Sequence, residues 1–429
     1  MGQQDTDQGG LVRPGAARDV RRQLPRALAG LRAILGLDFY SFRGKVVVIA
    51  GGSRGLALAM ARRLAREGAR LALLARDEGE LGRARQDLER RGGDVLTIRC
   101  DVRDRADAEA AIRQVVTQLG GVDVLINNAG VIQVGPIEVM THEDYEDSIR
   151  THVAGPIHTS LAAIPEMRRR GGGRIINISS IGGKIPIAHM VPYNVGKFAL
   201  VGLSEGMRAE LLKDNIVVTT VVPGLLRTGS IYNAFFKGRN REEFTWFSIL
   251  NSLPLVSISA NKAARIILRG ARMGRAEITP SVFAKLGARV HGLLPGLTTD
   301  LIGLVGRLLP EPNGAGTRRV RGRDSQTRLS SSMLTILNQR AAQDLNQLAP
   351  GQAEGPTGQT GQGGQAGAGQ MTPAGAGQAG QSGQAGKAGQ SGQAAPAGKA
   401  GQSGEAGPQA PAKAGQTPKP GAGRGGQSG

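Results

Sequence analysis

Between Lys45 and about Thr279, short apolar runs rich in β-branched residues alternate with longer stretches whose apolar positions recur at helical spacing. Val46–Ala50, Leu71–Ala75, Val95–Cys100, Val122–Asn127, Arg174–Ser179 and Val217–Val222 read as buried strands, because they lack the polar alternation of a sheet with one wet face. Leu56–Glu67 and Asp107–Leu119, lying between such runs, read as amphipathic helices. This βαβα order predicts an α/β fold, a doubly wound, Rossmann-like parallel sheet in a single domain. The connections leave no room for a separate substrate domain.

The pattern divides the chain into a basic N-terminal extension (1–42), the α/β domain (43–312), a connector with a short helix (313–349) and a tail (350–429). In the extension, Arg18–Leu37 sets Arg21, Arg22, Arg26 and Arg32 beside an apolar helical face. Such a helix either packs on its own domain or lies on an anionic membrane. Leu286–Leu309 is apolar and divided by Pro295, and periodicity leaves open whether it covers a substrate cleft or rests on a membrane. Arg318–Arg328 is a basic connector, and Leu334–Leu348 the candidate terminal helix. From Gly351 the chain is almost entirely Gly, Gln, Ala, Ser and Pro. It lacks the large apolar side chains that offset about 1–2 kcal/mol of backbone entropy per residue, and so reads as disordered.

Composition narrows the partners. The 54 Lys plus Arg against 34 Asp plus Glu give a net charge of +20, which attracts phosphate backbones nonspecifically. The tail lacks the aromatic and Arg interleaving that stacks bases, so specific nucleic-acid binding ranks last. Cys100 is the only cysteine, which excludes an intrachain disulfide and thiolate metal sites, and makes a reducing, cytoplasmic setting the default. No uninterrupted apolar run reaches the roughly 18 residues of a membrane span.

Three places carry chemistry. The first strand runs into Gly51-Gly52-Ser53-Arg54-Gly55-Leu56, a glycine-rich turn that lets backbone N–H groups and a helix N-terminus approach a pyrophosphate. The second strand ends in Arg76 where an acid would accept from a ribose 2′-hydroxyl. With Arg54 it can meet a 2′-phosphate, favouring NADP, although both can equally be solvated surface arginines. Tyr193 and Lys197 are four apart at the start of a helical stretch, which sets an ammonium beside a phenol and lowers the phenol's pKa from about 10.

Together these pieces resemble the short-chain dehydrogenase/reductase family. The likeness rests on Gly51 and Gly55 in the turn, Asn127-Asn128-Ala129-Gly130, Ser180 thirteen residues before Tyr193, the Tyr193–Lys197 pair, and Pro223-Gly224 with Thr228, and it covers roughly Arg43 to Gly274. The resemblance implies that Tyr193 is the general acid/base, that Lys197 tunes it and binds the nicotinamide ribose, and that Ser180 bonds the substrate oxygen. It further implies an adenine contact at Asp101 and Val102, a groove lined by Asn128, Ala129 and Gly130, and a nicotinamide-side loop at Pro223, Gly224 and Thr228. It also implies a homo-oligomer. The sequence departs from the family at Ala50, Ala57 and Gly196, and at His152, which stands where a catalytic Asn is usual. An imidazole there is expected to share in proton transfer, or to be packing alone.

One Trp, four Tyr and eight Phe make up the aromatics, and six of these fall between Tyr232 and Phe247. Tyr232, Phe235, Phe236 and Trp246 are expected to form a lid over a hydrophobic substrate, the alternative being core or oligomer contacts. The sequence thus predicts an NADP-dependent enzyme interconverting a carbonyl and an alcohol on a steroid-, retinoid- or lipid-like molecule, with peripheral membrane contact as an added feature. A second reading, a catalytically weak nucleotide-binding scaffold recruiting acidic or membrane partners, accommodates His152 and the tail.

Overall fold

Strand β1 (Val46–Ala50) is buried along its whole length at the middle of a seven-stranded, wholly parallel sheet. With β2 (Arg70–Ala75), β3 (Asp94–Arg99), β4 (Val124–Asn127), β5 (Gly173–Ile178), β6 (Ile216–Val221) and β7 (Glu277–Ile278), the order is β3-β2-β1-β4-β5-β6-β7. The order reverses between β1 and β4, paired from Val47↔Val124 to Ala50↔Asn127, and a crevice for ligands opens at the carboxyl ends of such a pair. The computed structural model describes residues 39–348 apart from 254, 255, 313, 315 and 331–334; Arg18–Leu37 and the tail from Gly351 lie outside the described residues.

Both faces of the sheet are covered, which is why its strands read as unbroken apolar runs. On one face α1 (Gly55–Arg66) packs with α8 (Ala260–Arg272), and α2 (Glu78–Glu89) adds Leu81, Ala84 and Leu88. On the other, α3 (Arg105–Leu119) contributes Ile112 and Val115, while α5 (Gly155–Arg169) contributes Ala163, Ile164 and Met167. Asp77 and Asp104 cap α2 and α3 by accepting from the N–H groups of Glu80 and Asp107, each worth about 1 kcal/mol.

A third cluster lies beyond the strand ends. Two-residue strands at Gln133–Val134, Phe235–Phe236 and Val320–Arg321 form a small sheet, under which Val134, Ile231, Tyr232, Phe236 and Phe244 are buried. Its base is the buried ion pair of Lys237 Nζ and Asp144 Oδ2, 2.5 Å apart, and the partly exposed Arg319 donates from Nε to Asp144 Oδ1 at 2.7 Å. Asp144 belongs to α4 (His142–Ile149), which a π-helical turn at Arg150–Ala154 joins to α5.

After α7 (Asn240–Ser252) and α8, Pro295 separates α9 (Val282–Leu293) from α10 (Pro295–Gly306). This pair leaves Val282, Leu293, Leu297 and Leu308 largely in solvent, the last 85% exposed. No helix among the described residues is long and apolar enough to cross a membrane. The described chain ends with α11 (Ile336–Asp344) and four residues beyond it, laid back across the start of α1.

Candidate active site

The chain leaves β1 at Ala50 and turns through Gly51, whose φ of +73° suits glycine. A Cβ there would lie 2.7 Å from both the N and Cα of Ala129, backbone atoms that cannot give way. The same closeness lets Asn128 bond the turn twice. Its N–H donates to Ala50 and its Nδ2 to the Gly51 carbonyl. Beneath it Asn127 is buried in a network with Asn177, Ser160 and Thr159, which ties β4 to β5 and α5.

At the far end of the crevice, β5 delivers Ser180 to the start of a 3₁₀ turn, where its Oγ accepts from the Gly182 N–H at 3.1 Å. Helix α6 (Val191–Leu211) holds Tyr193 and Lys197 one turn apart in its opening turns. Glycine again permits the approach: a Cβ on Gly183 would meet the Lys197 carbonyl at 2.5 Å. Lys197 Nζ donates to the Ile178 carbonyl at 2.9 Å and lies 5.7 Å from the Tyr193 ring centre.

The electrostatics differ from the expectation that Lys197 pulls the phenol's pKa down. Burial pushes Tyr193 up, partly opposed by a hydrogen bond from Ser180, and burial pushes Lys197 down to about 7. An ammonium that is half-neutral near pH 7 is a weak fixed cation, so the protein alone keeps the proton on Tyr193.

One cleft of about 550 Å³ is lined by Ser180, Tyr193, Lys197 and His152 and by every residue expected to hold the cofactor, from Gly51, Ser53, Arg54, Gly55 and Leu56 through Arg76, Asp101, Val102 and Asn128–Gly130 to Pro223, Gly224 and Thr228. The cofactor residues differ in freedom. Arg54 is paired with Glu80, which also accepts from Ser53 Oγ at 2.8 Å. Exposed Arg76 makes no hydrogen bond or ion pair among the described residues. For Asp101 burial raises the pKa, but bonds from the Arg103 side chain and backbone, together with nearby positive charge, hold the carboxyl below its usual range.

One expectation is corrected, and a second meets a constraint. Tyr232 and Phe236 are 2% and 0% exposed and sit in the core of the small sheet rather than over the cleft, while Trp246 packs beside them and donates to Glu243. An aromatic cluster supplies core area as well as it supplies a lid, and here the three-strand sheet needed a core. Phe235 does line the cleft, joined by Phe247. The proton relay expected through His152 has no free ring nitrogen: Nε2 accepts from the Val131 N–H at 3.2 Å and Nδ1 bonds Ser148 Oγ at 3.1 Å. Fully buried, its ring meets Tyr193 edge-on at 5.5 Å, and burial and Lys197 hold its pKa well below 6.5.

One wall of the cleft leaves no mark in the local sequence. Gln347, beyond α11, lines it between Gly55 and Asn233. The contacts span more than a hundred residues, and the one local trace is Gly229, where a Cβ would strike Ala342 at 2.3 Å.

Residues 45–235 match the family model described as short chain dehydrogenase. Dehydrogenase/reductase SDR family member 4 of Oryctolagus cuniculus is 34% identical over 200 residues, covering 46% of this chain and 76% of that protein. The chain belongs to the short-chain dehydrogenase/reductase family. The Sus scrofa protein of the same name is 35% identical over 185 residues, and the chain spans 66% of its length and 43% of its own. Among solved structures of the family, L-sorbose reductase from Gluconobacter frateurii, complexed with NADPH and L-sorbose, is 30% identical with a TM-score of 0.51, covering 57% of this chain and 98% of that one. A Burkholderia phymatum member in complex with NAD has a TM-score of 0.55 at 24% identity, over 60% and 96% of the two chains, and so speaks for the fold alone. The chain is thus an oxidoreductase by family.

Proposed function

We propose that this oxidoreductase uses NADP to interconvert a carbonyl and an alcohol on a hydrophobic substrate. The observation carrying the reading is the convergence of Ser180, Tyr193 and Lys197 at one end of a cleft whose other end holds the glycine turn and an unpaired Arg76. The residues fit a dinucleotide: Gly51 lets the turn close onto Ala129 at the cleft wall, α1 starts at the cleft, and Arg76 offers charge for a 2′-phosphate. NADP, when bound, supplies or accepts the hydride.

The chain's own residues handle the rest. Ser180 Oγ holds the substrate oxygen, Tyr193 Oη gives it a proton or takes one, and Lys197 beside the phenol holds the ribose and replenishes the proton. His152 fixes the Val131 backbone against the Tyr193 ring and acts as a positioning residue. Asp101 and Val102 face the adenine, while Asn128–Gly130, Pro223, Gly224 and Thr228 wall the nicotinamide half.

Apolar residues support the substrate class. Ile187, Met190, Phe235 and Phe247 line the Tyr193 end, and α9 and α10 pack against Ile185 and Ala188 of the adjoining loop while exposing leucines to solvent. The exposed leucines fit a contact with a second copy of the chain or with a membrane surface. Steroids, retinoids, long-chain aldehydes and sugars assayed with NADPH and NADH test the reading. Turnover of apolar carbonyls with NADPH is expected. Turnover of none would favour the scaffold reading, and a preference for sugars would overturn the substrate class.

A further inference from the structure

The strap that closes the described chain is docked on the glycine turn rather than on the nearest free surface. Arg62, on α1, donates from Nη1 to the Asp344 carboxylate at 2.9 Å and from Nη2 to the Asp344 carbonyl at 2.6 Å. The Gly55 N–H, first in α1, donates to the Leu345 carbonyl at 2.9 Å. Asn346, held at a φ of +57°, donates to the carbonyls of Ser53 and Glu80, both at 2.9 Å, and accepts from Arg83 Nε at 2.7 Å. On the opposite bank, Asn338 Oδ1 accepts from the Gly229 N–H, next to Thr228.

Gln347 spans the gap between these banks. Its Oε1 and its carbonyl both accept from Asn233 Nδ2, at 2.9 and 2.8 Å, which fixes the carboxamide's orientation. The Nε2 therefore faces the turn, 2.7 Å from where a Cβ on Gly55 would stand, and donates to no acceptor among the described residues. The residue is 7% exposed and lines the cleft. With its oxygen held by Asn233 and no acceptor of its own, the Nε2 opens onto the cleft and presents its N–H to what binds there. The N-terminus of α1 is where a dinucleotide's anionic pyrophosphate is held.

We propose that residues 336–348 form a clasp over the cofactor and that Gln347 Nε2 donates to the pyrophosphate. The inference rests on the dinucleotide reading above. It places a contributor to the nucleotide site about a hundred residues beyond the family-matched segment. It also makes cofactor release depend on lifting the strap, since Leu345, Asn346 and Gln347 bridge the two banks of the cleft. Because the pyrophosphate is common to both dinucleotides, Gln347 should affect NADPH and NADH alike, unlike Arg76.

The test uses the full-length protein and titrates NADPH and NADH by calorimetry, with release of NADPH followed by stopped-flow fluorescence. Gln347→Ala should weaken both dinucleotides about tenfold and speed NADPH release, with an unchanged NADPH-to-NADH ratio. Gln347→Glu keeps the shape but sets a carboxylate against the phosphates, so it should weaken binding further, and it serves if the alanine variant fails to fold. Hydrogen exchange of segment 336–348 in the wild type should slow when NADPH is added. Unchanged affinity in both variants overturns the proposal. Tighter binding in Gln347→Ala, or faster exchange of the strap on adding NADPH, overturns it in favour of a plug that competes with the cofactor. Wild type that binds neither dinucleotide overturns the cofactor reading and the clasp with it.

Discussion

The two departures from the family pattern nearest the catalytic pair, His152 and Gly196, should prove to be one departure. A Cβ at residue 196 would lie 2.6 Å from Ser148 Oγ and 2.7 Å from His152 Nδ1, closer than Cβ atoms approach any neighbour. The imidazole has taken the room that a side chain at 196 needs. Glycine inside a helix costs about 1 kcal/mol against alanine, and overpacking a core costs about 1–3 kcal/mol. Gly196→Ser should therefore gain about 0.5 kcal/mol in propensity and lose more in strain, a net loss of about 1–2 kcal/mol. In a His152→Asn background the Nδ1 contact goes and Ser148 Oγ, freed from its bond to that nitrogen, can rotate away, so the same substitution should become neutral or stabilising. The coupling is then about 1.5–2.5 kcal/mol, read from urea unfolding of wild type, both single variants and the double. Additivity within about 0.5 kcal/mol would refute the packing argument. A second readout concerns pH. His152 is buried neutral with its pKa depressed, so the unfolded chain binds a proton below about 6.5 that the folded chain refuses, and folding stability falls as the pH drops. His152→Asn should flatten that acid-side slope.

Arg76→Ala should lose about ten- to a hundredfold in NADPH affinity and leave NADH nearly unchanged by calorimetry, since a charge-assisted bond is worth about 1.5–3 kcal/mol; Arg54→Ala should lose less, because Arg54 must leave Glu80 to reach a phosphate. Tyr193→Phe should lower kcat at least a hundredfold with cofactor affinity preserved in the same titrations. Phe235→Ala should raise KM for an apolar substrate at nearly constant Tm. Phe236→Ala, emptying the small-sheet core, should cost about 3–5 kcal/mol in unfolding experiments whatever it does to KM. The rate of carbonyl reduction should fall as pH rises through about 7, where Lys197 gives up its proton, and steady-state rates between pH 6 and 9 check this.

Five strands of the main sheet were legible as apolar runs buried on both faces and edge strand β3 by Val95 and Ile98, and the glycine turn, Asn127–Gly130 and the Ser180, Tyr193 and Lys197 set were legible because their spacing is local. β7 and the small sheet were not: two-residue strands carry no periodicity, and Val320–Arg321 pairs with Phe235–Phe236 across more than eighty intervening residues. The aromatic stretch after Thr228 was visible as a cluster, but composition cannot separate Phe235, which lines the cleft, from Phe236, which points the other way along the same strand. Arg54 and Arg76 looked equivalent in sequence. Glu80, one turn into α2, distinguishes them in space.

The burial that raises Tyr193 and lowers Lys197 bears on the resting state of the site as well as on pH. Reduction of a carbonyl starts with a proton on Tyr193 Oη, and oxidation of an alcohol starts with that proton gone. Burial of a phenol opposes its ionised form, and Lys197, near half-protonated at pH 7, offers too little fixed charge to reverse this. At neutral pH the protein therefore holds Tyr193 in the form that reduction requires, with Lys197 positioned to restore the spent proton. Oxidation demands that the same site first lose a proton it is built to keep. Because a catalyst leaves the carbonyl–alcohol equilibrium unchanged, this burial sets only which protonation state the free protein presents, and the net direction is left to the supply of oxidised and reduced cofactor.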